Sequence, residues 1–258
     1  MENILSKKPL TLAESFLETF KLLKATWLTL VVFSFLIICL FFVSLLLLTA
    51  LNLVYIALAK TIPPYTFNLI YTVIVYILYF LLSTLAQILL INALFRPSLN
   101  FKENIATVKK FFKNYLFLSI FTSFIIFLCF LPFYTALFFF LLNNYILGFL
   151  SLIINFALIV LAASYFIFSP YILIDKNYSW HLSVKKSWLL AKNNLLNITL
   201  KIFVFVLILV ILDSLSTLLL YLPYAGPVFA MIIFMIMVLF FFAYPFVIYS
   251  DYKQYQNI

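Results

Sequence analysis

Seven acidic side chains, one histidine and two cysteines are all that this 258-residue chain offers for proton transfer, metal ligation or thiol chemistry. Asp213 is the one carboxylate inside a long apolar run. An acid held within a membrane marks a functional site by default, and Ser214, Ser216 and Thr217 beside it could hydrogen-bond across helices. About 27 Å along a helix that starts near Leu195, Asp213 falls in the outer half of a bilayer. Outer headgroups, or a helix break before Pro223, account for it there. Lys201 stands one or two turns into the same helix, where snorkelling to the inner interface explains it. About 18 Å of helix separates it from Asp213, too far to pair. His181 reads as a solvated surface residue, and a single histidine leaves no multi-histidine metal site. Cys39 and Cys129 lie deep in apolar runs and read as free, buried thiols. Two glycines, Gly148 and Gly226, are too few for a phosphate-binding loop, a dinucleotide fingerprint or a nucleophile elbow.

What could position such residues is set by composition. The chain is 67% hydrophobic and 9% charged, against about 45–50% and 25% in a soluble domain. It has too little polar surface to cover its apolar mass in water, so it is read as a polytopic membrane protein. The net charge of +9 fits basic loops on the cytoplasmic side of a membrane better than nucleic acid, which is not expected as a partner. The first 24 residues carry Glu2, Glu14 and Glu18 without a small-residue cleavage site, unlike a removable signal peptide.

Charges divide the chain. Residues 25–95 hold only Lys60, residues 114–174 hold none, and residues 202–250 hold only Asp213. One crossing takes about 20 residues, so each stretch is long enough for two. Turn residues mark each midpoint: Lys60-Thr-Ile-Pro-Pro-Tyr65, Asn143-Asn144 and Pro223-Tyr-Ala-Gly-Pro227. The expected fold is an all-α, polytopic transmembrane bundle. Its six spanning helices lie near 27–55, 67–94, 116–141, 146–171, 196–221 and 228–249. The runs are continuously apolar, which excludes a small β-barrel. Fifteen of the sixteen lysines and arginines fall on one side, which places both termini in the cytoplasm.

The basic segments share a register. Thr11, Asn100 and Ser179 are good N-cap residues, and Glu14 and Glu103 three positions on complete capping boxes, while Leu182 departs from that pattern. Apolar residues follow at offsets 1 (Leu12, Phe101, Trp180), 5 (Phe16, Ile105, Val184), 12 (Leu23, Phe112, Ala191) and 16 (Trp27, Leu116, Leu195). At about 100° per residue these form one stripe. A lysine lies roughly opposite in each copy: Lys24, Lys113 and Lys192. The chain thus reads as three repeats, 11–97, 100–175 and 179–250, each an interfacial amphipathic helix feeding a transmembrane hairpin. Such a helix lays its apolar face in the acyl boundary and its lysine at headgroup phosphates. The helix exits echo one another in Ser169-Pro-Tyr-Ile-Leu-Ile-Asp175 and Tyr244-Pro-Phe-Val-Ile-Tyr-Ser-Asp251, and Pro132 is an expected kink.

The stretch from Ser169 to Asn193 resembles a signature of a broad set of prokaryotic six-helix membrane proteins. That set includes uncharacterised families and the membrane domain attached to some bacterial glycerophosphodiester phosphodiesterases. The matching positions are Pro170, Tyr171, Asp175, Ser187 and Lys192; where those proteins often carry glycine after the lysine, this chain has Asn193. The resemblance implies the six-helix architecture and a prokaryotic plasma membrane. The phosphodiesterase activity, which belongs to a soluble domain not seen in this chain, does not transfer.

With no clustered acids and no cofactor motif, the expected function is a non-enzymatic membrane scaffold or lipid-interacting component. Membrane lipids would be its partners, through anionic headgroups of the cytoplasmic leaflet. The alternative is a small-molecule or lipid permease that uses Asp213, although transporters usually carry more polar residues at the midplane.

Overall fold

The computed structural model describes residues 9–58, 64–97, 100–219 and 226–256, and within them no side chains of 36–45, 47–48, 51–58, 64–69, 101, 227, 231 and 254–256. The described residues form nine helices and no strand. They are α1 (Leu12–Leu58), α2 (Pro64–Phe95), α3 (Phe101–Cys129), α4 (Leu131–Leu141), α5 (Tyr145–Phe166), α6 (Ser169–Lys176), α7 (Trp180–Asn193), α8 (Leu195–Leu219) and α9 (Gly226–Gln256). The protein is an all-α helical membrane bundle. Five stretches are long and apolar enough to cross a bilayer: Ile70–Phe95, Lys102–Leu141, Tyr145–Lys176, Leu195–Leu219 and Val228–Lys253. The expected crossing at 27–55 lies in α1, where most side chains from residue 36 on fall outside the described residues, as do Lys60 and Pro223.

Two of the three expected amphipathic helices are not separate elements. α1 runs unbroken through Lys24, and α3 through Lys113. The sequence supplies no glycine or proline between Thr11 and Leu58 or between Phe101 and Leu131, so nothing interrupts the i to i−4 ladder. Only the third copy breaks. The pair Asn193-Asn194 ends α7, with Asn194 at φ −135° as its C-cap, and α8 starts afresh.

Prolines punctuate the spans. Pro132 separates α3 from α4, Pro170 opens α6 after a break at Ile167–Phe168, and Pro245 sits inside α9. Asparagines make the turns. Asn143 (φ 57°) lies between α4 and α5, and Asn177 (φ 54°) ends α6 in the left-handed conformation that asparagine tolerates. The Asn144 side chain accepts the Leu147 amide at the start of α5. The Asn143-Asn144 turn is therefore where the sequence places it.

The chain gathers into two compact units. One comprises the residues up to 25 and from 117 on. Its core is built from α6, α7, the start of α8 and the later part of α9: Phe168, Tyr171, Ile172, Leu173, Leu190, Ile202, Phe205, Tyr244 and Ile248 are all buried. α6 is buried at four consecutive positions, 171–174, as a helix apolar on every side must be. Within this unit α4 and α5 form a tight hairpin. A Cβ at Gly148 would lie 2.5 Å from the Phe140 ring, which would have to swing aside to admit it. The other unit spans 26–116, and buries Leu30, Phe33, Ile88, Ile91, Leu94, Phe111 and Tyr115.

Candidate functional site

The helix starts set the geometry of the basic segments. At Thr11 the capping box is complete: the Thr11 amide donates to Glu14 Oε2 (2.7 Å) and the Glu14 amide to Thr11 Oγ1 (3.3 Å). The Thr11 amide, and then its hydroxyl, hold the Glu14 carboxyl below the ordinary carboxylate range. At Asn100 the side-chain amide instead donates to Glu103 Oε1 (2.8 Å). Ser179 makes no side-chain cap, and its hydroxyl lies 3.3 Å from His181 Nε2. His181 is exposed, as expected.

A polar face that the sequence stripe did not include turns out to be the buried one. At offset 4 stand Ser15, Asn104 and Ser183, all buried. Each side chain donates to the carbonyl of its own cap residue: Ser15 to Thr11 (2.9 Å), Asn104 to Asn100 (2.8 Å) and Ser183 to Ser179 (2.9 Å). Offset 8 adds buried Thr19 and Ser187. Small residues that satisfy themselves allow backbones to approach closely in a membrane. The expected apolar stripe lies beside this face and is mostly half-buried, with Ile105 and Trp27 exposed. It touches protein where an interfacial helix would touch only lipid. Phe16 stacks on Tyr244 (ring centroids 4.6 Å) and Phe240 (5.7 Å), and Trp180 packs on Phe121 (5.7 Å) and Phe117 (6.5 Å).

Lys24, Lys113 and Lys192 are all exposed. Asp213 is exposed as well, and of its neighbours only Ser216 reaches another helix, donating to the Ala230 carbonyl (3.3 Å). Ser214 and Thr217 donate to Val210 and Asp213 of their own helix.

Two ion pairs, formed where α6 and α9 end, join residues far apart in sequence. Lys201 does not snorkel. It is 1% exposed, with its ammonium 3.9 Å from Asp251 Oδ2 and 5.1 Å from the Tyr252 ring centroid. Asp251 also accepts the Leu10 amide (2.9 Å). Turning inward is favoured because a carboxylate, a ring face and the long alkyl stem all find partners there. In the second pair Asp175 Oδ2 accepts both Lys253 Nζ and the Tyr249 hydroxyl, each at 2.7 Å. Both carboxylates follow a proline in the echoed helix exits, and that was the available signal. Their partners lie 50 and 78 residues away in sequence, beyond the reach of spacing arguments.

A side chain from a neighbouring helix donates to a carbonyl next to the one freed by each of Pro132, Pro170 and Pro245. Pro132 leaves the carbonyl of residue 128 without an amide, and Asn155 Nδ2 donates to the adjacent Cys129 carbonyl (2.6 Å). Pro170 frees that of residue 166, and the Ser187 hydroxyl donates to Tyr165 (2.6 Å). Pro245 frees that of residue 241, and the Tyr171 hydroxyl donates to Phe242 (2.8 Å). Cys129 is half-buried where full burial was expected, and its thiol lies 3.8 Å from the Leu158 carbonyl. Cys39 lies where no side chain is described.

Among the described residues no three His, Cys, Asp or Glu side chains gather to hold a metal ion. No family model, no curated protein and no solved structure matches the chain.

Proposed function

We propose that the protein is a non-enzymatic scaffold or lipid-interacting component of a prokaryotic plasma membrane, with both termini in the cytoplasm. In this reading three repeated units present lysine-bearing helix segments to the anionic headgroups of the inner leaflet. The observation that carries it is the shared exposure of Lys24, Lys113 and Lys192 at one register position, on segments whose opposite sides pack on protein. Each lysine near an anionic surface contributes about 1 kcal/mol. A permease built around Asp213 has less support, because that side chain is exposed and only one of its three hydroxyl neighbours reaches another helix.

The test is lipid selectivity of the full chain in nanodiscs of mixed phosphatidylcholine and phosphatidylglycerol, read from spin-labelled lipids at the protein boundary. The wild type should enrich phosphatidylglycerol. Replacing Lys24, Lys113 and Lys192 together by glutamine should lower the preference by about fivefold per lysine at most. An unchanged preference would overturn the reading.

A further inference from the structure

The three lysine-bearing segments are not held alike. The start of α3 is tied to α2 through side chains, Asn92 Nδ2 donating to Asn104 Oδ1 (2.7 Å) and the Tyr115 hydroxyl to Gln87 Oε1 (3.0 Å). α7 is tied at the end of α5 by Ser187, which donates to Tyr165, and by Trp188 stacked on the Tyr165 ring at 4.0 Å. Lifting either segment away would leave buried polar groups without partners, which is costly in an apolar medium.

The start of α1 differs. Its two fully buried polar side chains, Ser15 and Thr19, both donate to carbonyls of their own helix, those of Thr11 and Ser15. Its first turn is closed by the Thr11–Glu14 box. It rests on α9 through rings, Phe16 on Tyr244 and Phe240, and Phe20 on Phe240 at 5.8 Å. The Leu10 amide reaches across to Asp251, and the Glu14 carboxylate acts electrostatically on Lys201. The floor beneath keeps Asp251 facing Lys201, while the Glu14 charge that also favours the Lys201 ammonium leaves with the strap. The outer face is equipped for an interface, with Leu17 and Phe20 exposed beside Lys21 and Lys24.

We propose that residues 10–25 form a releasable strap, latched by the Leu10 amide on Asp251, and that the anionic headgroup layer competes with α9 for it. The competing partner rests on the leaflet reading given above; the latch itself does not. Docked, the strap ties the start of the chain to its last helix. Released, it gives up the Leu10–Asp251 bond, keeps the hydrogen bonds within its own helix and exchanges ring contacts for the acyl boundary.

Cross-linking of the full chain in nanodiscs tests this. In a Cys39→Ser, Cys129→Ser background, Phe20→Cys and Phe240→Cys are joined by a short bismaleimide. Phe205→Cys with Phe241→Cys, whose rings lie 6.2 Å apart between α8 and α9, reports that the rest of the unit is folded. In phosphatidylcholine alone, Leu10→Pro removes the latching amide without touching the buried ion pair, and should lower strap cross-linking by about tenfold. Asp251→Ala, which removes the acceptor itself, should do the same where the control pair shows that it folds. Adding phosphatidylglycerol should lower the strap yield of the wild-type latch several-fold and leave the control pair unchanged. Should Leu10→Pro leave the yield intact in neutral lipid, the latch is wrong. Should phosphatidylglycerol leave it intact, the competition is wrong. Either result overturns the proposal. The neutral-lipid arm involves no lysine–headgroup contact, so it stands or falls separately from the lipid-selectivity test.

Discussion

The Asn155 side-chain amide donates to the Cys129 carbonyl across 2.6 Å, beside the carbonyl that Pro132 leaves without a donor. The backbone re-forms around the gap by tighter bonds, with the Phe130 amide shared between the Ile126 and Phe127 carbonyls and the Phe133 amide on Phe130. That rearrangement leaves Cys129 to the neighbouring helix. A carbonyl in hydrocarbon has no water to turn to, so the partner must come from protein.

Asn155→Leu should therefore destabilise the protein by about 0.6–1.7 kcal/mol, the span measured for interhelical hydrogen bonds in membranes. The discriminating measurement is a double-mutant cycle with Pro132→Ala, followed by unfolding in mixed micelles. Alanine at 132 restores the amide, lets α3 run on and returns Cys129 to its own helix. The Asn155→Leu cost should then shrink towards zero. Equal costs in both backgrounds would mean that Asn155 does something other than answer the proline.

The Lys201–Asp251 pair makes a second expectation. At 1% and 8% side-chain exposure, neither charge is well solvated. Removing one partner strands the other, at about 3–5 kcal/mol, whereas replacing both by apolar residues of similar size is often neutral. Lys201→Met alone should thus be severely destabilising, and Lys201→Met with Asp251→Leu much less so. The double variant still loses the acceptor of the Leu10 amide, so it should stay somewhat below wild type. Thermal unfolding in detergent, followed by loss of tryptophan fluorescence, ranks the three. A double variant as unstable as the single one would show that the pair is not the source of the cost.

How far these features were legible depends on distance along the chain. The hairpin turn at Asn143-Asn144 and the capping box at Thr11 are local, and both stand as read. The continuity of α1 and α3 was also written locally, in the absence of any helix breaker, but the change from polar to apolar residues near Lys24 and Lys113 suggested a boundary. Polarity records where a helix meets water, and backbone hydrogen bonding decides where it ends. The buried face at offsets 4 and 8 is hidden from hydrophobic periodicity for a related reason. Serine and threonine count as polar in a periodicity argument, whereas in a membrane helix they cover themselves with their own carbonyls and behave as small contact residues. The sequence around Lys201 shows its own helix alone, and that helix by itself points to the interface. Its partner arrives from the end of the chain, and only the tertiary fold brings it.

Gly148 offers a test of the hairpin. Its missing side chain is occupied by the Phe140 ring, three atoms of which lie 2.5–2.8 Å from an added Cβ. The ring has some freedom to swing, so Gly148→Ala should cost about 1–3 kcal/mol, as overpacking does. Adding Phe140→Leu should recover much of it by withdrawing the ring. Chemical unfolding of the four-member set would reveal the coupling, and strict additivity would argue that α4 and α5 do not approach as described.

The offset-4 residues predict an ordered series. Ser15 and Ser183 each use one hydroxyl on their own helix, so Ser15→Ala and Ser183→Ala remove a bond and strand only a carbonyl that the helix already serves. Each should cost about 1 kcal/mol or less. Asn104 does more. Its Nδ2 serves the Asn100 carbonyl while its Oδ1 receives Asn92 Nδ2 from α2, and both asparagines are buried. Asn104→Ala leaves the Asn92 amide unanswered in an apolar setting, at about 1–3 kcal/mol on top of the lost bond. Asn92→Leu introduced beside it should recover part of the loss, because it removes the stranded donor, whereas the same substitution in the wild type should be harmful. An Asn104→Ala variant no less stable than Ser183→Ala would mean that the amide pair contributes nothing, and that α3 is held against α2 by its apolar contacts alone.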